Sequence, residues 1–338
     1  MIFADQRWVG EHGIGRFARH VLAGFDHCGV RLSSNPASPL DPVRLTLALS
    51  GLGREDLFYS PGYNSPLSCR APFILTIHDL NHLDRPENSD PLKRLYYATI
   101  LKRACHRAKK ILTVSEFSRR RIVDWAGVGE EKVLNVGNGV SQEYGPRVAP
   151  MRFEFPFLLC ATSRKPHKND FRVAAAFARA RLAGLHLVFT GSPSKGLAEQ
   201  IERLRIGSRA HFMGVVSEEK MPSLYRAAEA TIFASLYEGF GLPLLESMAS
   251  GVPVVTSNTT ALPEVAGNAA LLVDPTSVGE IAAAMERIVT DLELRKQLVE
   301  RGLSRAAEFP WSRTVAKARE VLWAQAEAET EGVGNARS

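Results

Sequence analysis

The chain has 338 residues, 45% hydrophobic and 23% charged, a balance that excludes disorder and supplies enough apolar material for two cores. Four cysteines without C-x-x-C spacing exclude a zinc ribbon or a compact disulfide frame, and no run of 18 apolar residues exists to span a membrane. The formal charge of +6 asks for an anionic partner, which a nucleotide diphosphate, a phospholipid surface or a nucleic acid would each satisfy.

The opening "MIFADQRW" has no basic leader or apolar h-region, so a reducing cytosolic setting is expected. In chain order the runs "MIFA", "FILTIH", "KILTVS" and "KVLNV", then "FPFLLCA", "LHLVFTG", "ATIFAS" and "VPVVTS", read as strands alternating with helical patterns. That rhythm predicts an α/β protein with parallel, doubly wound sheets. The stretch "SQEYGPRVAPMRFEFP" is proline-rich and aperiodic and is expected to link two domains, residues 1–148 and 149–312. A helix over 313–330 is expected to pack back toward the first domain, with a frayed tail at 331–338. Two such domains facing each other would bind ligands in a cleft lined by the carboxyl ends of their strands.

Near the start, "GEHGIGRFA" contains Gly13-x-Gly15-x-x-Ala18, superficially a dinucleotide fingerprint. The acid that a nicotinamide ribose needs about 20 residues on is absent from "VRLSSNPAS", so an oxidoreductase ranks last. His78 ends the apolar strand of "TIHDL", where a core histidine and a ligand-facing one are equally compatible with the pattern, and Asp79 is expected to cap the next turn. Between Pro91 and Arg121 lie ten Lys or Arg and one acid, Glu116. Leu92, Leu95, Tyr96, Thr99 and Ile100 form an apolar stripe among those bases, so the segment is expected to rest on an anionic leaflet.

In the second half, "TSRKPHKND" offers Arg164, Lys165, His167 and Lys168 after a strand. Further on, "SLYEGFGLPLLESMASGVPVVTSN" sets Glu238 in a glycine-bracketed loop. Pro243 suits a first helical turn and Gly251 a C-terminal cap, so a helix is expected from Pro243 to Ser250 with Glu246 near its start. The helix N-terminus favours a phosphate, and carboxylates beside a phosphate are best explained as acceptors for uncharged sugar hydroxyls. Neither a D-x-D motif nor a His-rich cluster occurs, so no metal or other cofactor is expected.

From "HGIGRFARHVL" through "ILTIHDLNHL", "ILTVSEFSRRRI", "NVGNGV", "RKPHKND", "VFTG" and the Glu238–Glu246 block to "FPWSRTVAKAREVL", the chain resembles the retaining glycosyltransferases of family 4. The resemblance implies the GT-B fold of two facing Rossmann-like domains, and a nucleotide-sugar donor rather than nucleic acid as partner. It assigns Glu238 to the transferred sugar, Glu246 to the ribose, and Arg164 and Lys168 to the leaving diphosphate. It further assigns Gly239, Phe240, Gly241 and Leu242, with Gly13 and Gly15, to donor binding, and His78 to the neighbourhood of the donor sugar. His82 and Asp84 fall on the acceptor side. The "RKPHKN" variant resembles bacterial mannosyl- and rhamnosyltransferases of surface polysaccharide assembly, which implies GDP-mannose as donor and a lipid-linked oligosaccharide as acceptor, at the inner membrane face. A nucleotide-sugar epimerase of the same architecture and a non-catalytic nucleotide-sugar-binding subunit are the alternatives.

Overall fold

A computed structural model describes residues 1–337, with side chains to residue 328. The chain divides into two compact units, Met1–Gly139 together with the stretch from Trp311 onward, and Val140–Pro310. The first unit carries one sheet of β1 (Ile2–Ala4), β2 (Cys28–Gly29), β3 (Leu57–Ser60), β4 (Phe73–Thr76), β5 (Lys110–Thr113) and β6 (Val133–Asn135), in spatial order β2-β1-β3-β4-β5-β6. All pairings are parallel, with Phe58 opposite Phe73 and Ile74 opposite Lys110. Parallel strands need covered faces. Leu45, Leu49, Leu101 and Ile122 cover one face by packing on Phe58, Phe73 and Leu75.

The second unit repeats the plan with β7 (Phe157–Cys160), β8 (His186–Phe189), β9 (Ala210–Phe212), β10 (Ala230–Phe233), β11 (Val254–Ser257) and β12 (Leu271–Val273). Its order is β12-β11-β10-β7-β8-β9, again parallel throughout. Phe177, Leu187, Phe189, Ile232 and Met285 form its main core. The doubly wound α/β expectation therefore holds for both halves. In each sheet the first strand lies between a strand that follows it directly and one reached by a crossover. Such a switch point opens a crevice beyond the carboxyl ends of the two strands. In the second unit it falls between β7 and β10.

Two details of organisation differ from expectation. The stretch expected to link the two domains, with the boundary at 148/149, belongs to the second unit from Val140 onward. Val140 donates to the Phe309 carbonyl at 2.9 Å, Met151 donates to the Ser223 carbonyl at 2.9 Å, and Phe153 packs 4.4 Å from Phe157. Aperiodic sequence thus marks irregular backbone here, not a free one. The final helix begins at Trp311 and continues through 331–337, the stretch expected to fray, while Ser338 lies outside the described residues. The Ala- and Glu-rich run leading into that stretch, residues 324–331, has high helix propensity. Trp311 stacks on His20 with centroids 4.2 Å apart, which docks the returning chain on the first unit.

The apolar stripe expected over Leu92 to Ile100 is not continuous. The backbone passes from an α-helix, Pro91–Tyr96, into a π-helical turn, Tyr97–Leu101, and back to α over Lys102–Arg107. The wider turn breaks the 3.6-residue register, so Tyr97 and Leu101 enter the core while Leu92 and Leu95 stay exposed.

Candidate active site

In the second unit, the two loops at the switch point carry the expected polar groups. After β7 the chain makes a tight 3-10 turn, Pro166–Lys168, ended by Asn169 with φ of 66°. Asparagine tolerates this left-handed conformation, and here its side chain holds it. The Asn169 amide donates to the Ala234 carbonyl at 2.8 Å and to the Pro275 carbonyl at 2.7 Å. Leu236 N–H adds a bond to the His167 carbonyl at 2.7 Å. These links fix the loop after β7 against the loop after β10. The result is a short ion pair, Lys168 Nζ to Glu238 Oε1 at 2.6 Å, with both side chains largely buried and the ammonium 5.4 Å from the Phe233 ring centre.

Glu238 is held from its backbone, its N–H donating to the Thr260 hydroxyl at 3.2 Å. Gly239, Phe240 and Gly241 follow in buried positions, and Gly241 adopts φ of 112°. That conformation suits glycine alone. It lets the chain turn into the helix Leu242–Ala249, within one residue of the expected span, and Gly251 follows it with φ of 70°. No side chain caps the start of this helix, and Pro243 contributes no N–H. Leu244 N–H bonds the Gly241 carbonyl at 3.0 Å, so what this end offers an anion is the Leu242 amide and the positive end of the helix dipole. One turn in, Glu246 is 4% exposed and accepts from the Tyr225 hydroxyl at 2.9 Å.

Arg164 also lies after β7, with φ of 55°. Its Nη2 donates to the Thr162 carbonyl at 3.1 Å, and its Nη1 is 3.2 Å from Asp170 Oδ2. Burial pushes the Asp170 carboxyl above its ordinary range, and the Arg164 charge draws it part of the way back. Nothing in the sequence reading singled out Tyr225, Asn169 or Asp170. For Asn169 and Asp170 the only signal was their place directly after Lys168 in "KND", and for Tyr225 there was none.

The first unit places its candidates at the carboxyl ends of its own strands. The helix Gly13–Leu22 starts at Gly13, and His12 caps it by accepting from Gly15 N–H at 3.0 Å. A Cβ on Gly15 would lie 2.5 Å from the Gly10 carbonyl oxygen, so glycine is required for this close approach. His78 is buried after β4. Its Nε2 donates to the Pro61 carbonyl at 2.9 Å, which makes Nδ1 the acceptor nitrogen, and the ring meets Phe17 edge-on at 4.9 Å. Burial lowers its pKa to about 4, more than the Pro61 bond restores, so the ring is neutral at pH 7. Asp79 Oδ1 accepts from Asn81 N–H at 3.0 Å, the expected local cap. His82 Nδ1 bonds the Asn88 carbonyl at 2.6 Å, and Asp84 pairs with Arg121. These last two side chains are held inside their own unit. Among the described residues, no group of three His, Cys, Asp or Glu is arranged to hold a metal ion.

Comparison with known proteins matches residues 13–144 to the model described as Glycosyltransferase Family 4 and residues 150–305 to Glycosyl transferases group 1. The chain is 31% identical over 287 residues to O-antigen chain mannosyltransferase B of Escherichia coli, covering 80% of this chain and 75% of that protein. The chain belongs to the family 4 glycosyltransferases.

Other relatives of this glycosyltransferase include the serotype-specific mannosyltransferase WbdA of E. coli, 28% identical over 71% of this chain. Only 32% of WbdA is spanned, so the match is to one part of a longer protein. Among solved structures, sucrose-phosphate synthase from Thermosynechococcus elongatus superposes with a TM-score of 0.73 at 18% identity, over 97% of this chain and 99% of that one. HepE of Anabaena in complex with UDP-glucose gives the same score and identity, over 96% and 99%. At that identity the likeness is one of fold, and it is to GT-B glycosyltransferases. Among the described residues no helix is long and apolar enough to cross a membrane.

Proposed function

We propose that this glycosyltransferase retains anomeric configuration, works without a metal and moves mannose from GDP-mannose to an acceptor hydroxyl on a lipid-linked oligosaccharide in bacterial surface polysaccharide synthesis. The observation that carries the reading is the buried Lys168–Glu238 pair beside an uncapped helix N-terminus. It juxtaposes a cation for a leaving diphosphate with a carboxylate for sugar hydroxyls. As the glycosidic bond breaks, negative charge grows on the diphosphate, and Lys168, Arg164 and the amides around Leu242 stabilise it without a divalent ion. Glu246 takes the ribose hydroxyls, Glu238 orients the sugar, and the diphosphate accepts the proton of the attacking hydroxyl on the same face. In this reading Glu238 orients the sugar and forms no glycosyl intermediate. His78, neutral with Nδ1 as acceptor, suits a sugar hydroxyl as partner. The mannosyltransferase relatives support the choice of sugar, and they carry the choice of guanosine diphosphate only indirectly.

The first unit is proposed to meet an anionic membrane surface through the exposed Leu92 and Leu95 and their neighbours Lys93 and Arg94. The deciding experiment offers the protein a panel of nucleotide sugars with chelator present, and follows donor cleavage and the anomeric configuration of the product by NMR. Turnover of GDP-mannose to an α-mannoside in chelator is the expected result. Activity only with an added divalent ion, or an inverted product, would overturn the mechanism, and preference for a different donor would overturn the sugar assignment.

A further inference from the structure

The Arg164 guanidinium is held more firmly than a diphosphate ligand on a loop requires. Nη1 faces Asp170 Oδ2 at 3.2 Å and Nη2 donates to the Thr162 carbonyl and hydroxyl. The Thr162 hydroxyl in turn donates to Asp170 Oδ1 at 2.8 Å, and the Phe189 ring lies 4.8 Å from the guanidinium carbon. Carboxylate, hydroxyl and ring fix the group on three sides. Nε and Nη1 are nevertheless buried without a hydrogen-bond acceptor. Asp170 opens the ten-residue helix Asp170–Arg179, and its side chain is only 6% exposed, so it cannot swing away to solvent. An arginine this dry needs a fixed counter-charge to stay in place.

We infer that Asp170 is a positioning residue for the donor diphosphate, acting through Arg164 and the Thr162 hydroxyl to hold the guanidinium in its binding pose. This rests on the proposed role of Arg164 and adds a residue to it. Calorimetric titration of GDP and UDP into wild type, Asp170→Asn, Arg164→Ala and the double variant tests it. Asp170→Asn should weaken binding of the preferred nucleotide about tenfold, the size of coupling between touching residues. In the Arg164→Ala background it should change nothing. Thr162→Val, which removes the bridging hydroxyl and keeps both charges, should weaken binding in the same direction, and it carries the test should Asp170→Asn not fold. Losses that add in the double variant, or tighter binding by Asp170→Asn, overturn the positioning role alone. A wild-type protein that binds neither nucleotide overturns the diphosphate site and the positioning role with it.

Discussion

Lys168 and Glu238 stand 70 positions apart in the sequence and 2.6 Å apart in the fold, each side chain less than 15% exposed. In the absence of donor, the two charges neutralise each other. Under the proposed function, a sugar diphosphate would draw Lys168 to its phosphates and Glu238 to its sugar hydroxyls, at the cost of this pair. Lys168→Ala and Glu238→Ala should each strand a largely buried charge and cost about 2 to 3 kcal/mol of stability. The double variant should recover part of that. Lys168→Ala should also lower kcat about a hundredfold at nearly unchanged KM. Urea titrations of the three variants give the coupling, and additive losses would show that the pair is not a unit.

Glu246 should report on the nucleotide. Its carboxylate is buried with Tyr225 as donor, and hydrogen bonds to charged groups contribute about 1.5 to 3 kcal/mol. Glu246→Ala is expected to weaken nucleoside diphosphate binding at least tenfold while saturating donor restores most of the turnover. Tyr225→Phe should act in the same direction with a smaller effect. Equal nucleotide affinity in wild type and Glu246→Ala would remove the ribose role.

Gly241 tests the helix N-terminus. At φ of 112° an L side chain is strained, and an added Cβ would lie 2.7 Å from Leu262 Cδ2. Because Leu262 Cδ2 is the end of a flexible side chain, the backbone strain dominates, and Gly241→Ala should cost about 1 to 3 kcal/mol. It should also weaken donor binding, because the Leu242 amide moves with the cap. Thermal melts with and without nucleotide separate the two effects.

His78 gives the first unit a defined acid sensitivity. Its folded pKa of about 4 lies below the ordinary value of 6.5, so the unfolded chain binds more protons between those limits. The stability it contributes is complete above pH 6.5 and is lost as the pH falls toward 4, a total of about 3 kcal/mol. His78→Phe should flatten the stability profile in that window. An unchanged slope would show that the ring titrates normally.

The membrane proposal turns on four exposed residues. Wild type should sediment with vesicles containing anionic lipid and not with neutral ones, and added salt should release it. Changing Lys93 and Arg94 to Glu should abolish binding, and changing Leu92 and Leu95 to Ser should weaken it. Equal sedimentation with both kinds of vesicle would eliminate the idea.

Which of these features the sequence revealed follows from local chemistry. Eight strands stood out because apolar, β-branched runs announce buried parallel strands. The central strand β3 did not. "LFYS" is four residues ending in two hydroxyls, and only its neighbours bury them, with Tyr59 bonding Thr76 across the sheet. The edge strands β9 and β12 are three residues each, below the length at which alternation can be read. At the site, Glu238, Glu246 and Lys168 were legible because glycines, a proline and a strand end frame them. Asn169 and Asp170 were not, since their work depends on carbonyls and a guanidinium that the fold brings near. The π-helical turn at Tyr97 was equally silent, because the core, and not the local sequence, demands that Tyr97 and Leu101 both turn inward.

The return of the chain at Trp311 makes the first unit discontinuous, built from both ends of the polypeptide around an uninterrupted second unit. During synthesis the second unit is therefore complete in sequence while the first still lacks its closing helix. A chain truncated at residue 310 would keep the whole second unit and leave unfilled the seat that His20 and Gly139 form for the Trp311 ring. Quality control of this enzyme should act on that seat, and truncations at the carboxyl end should harm the half that the linear sequence places farthest away.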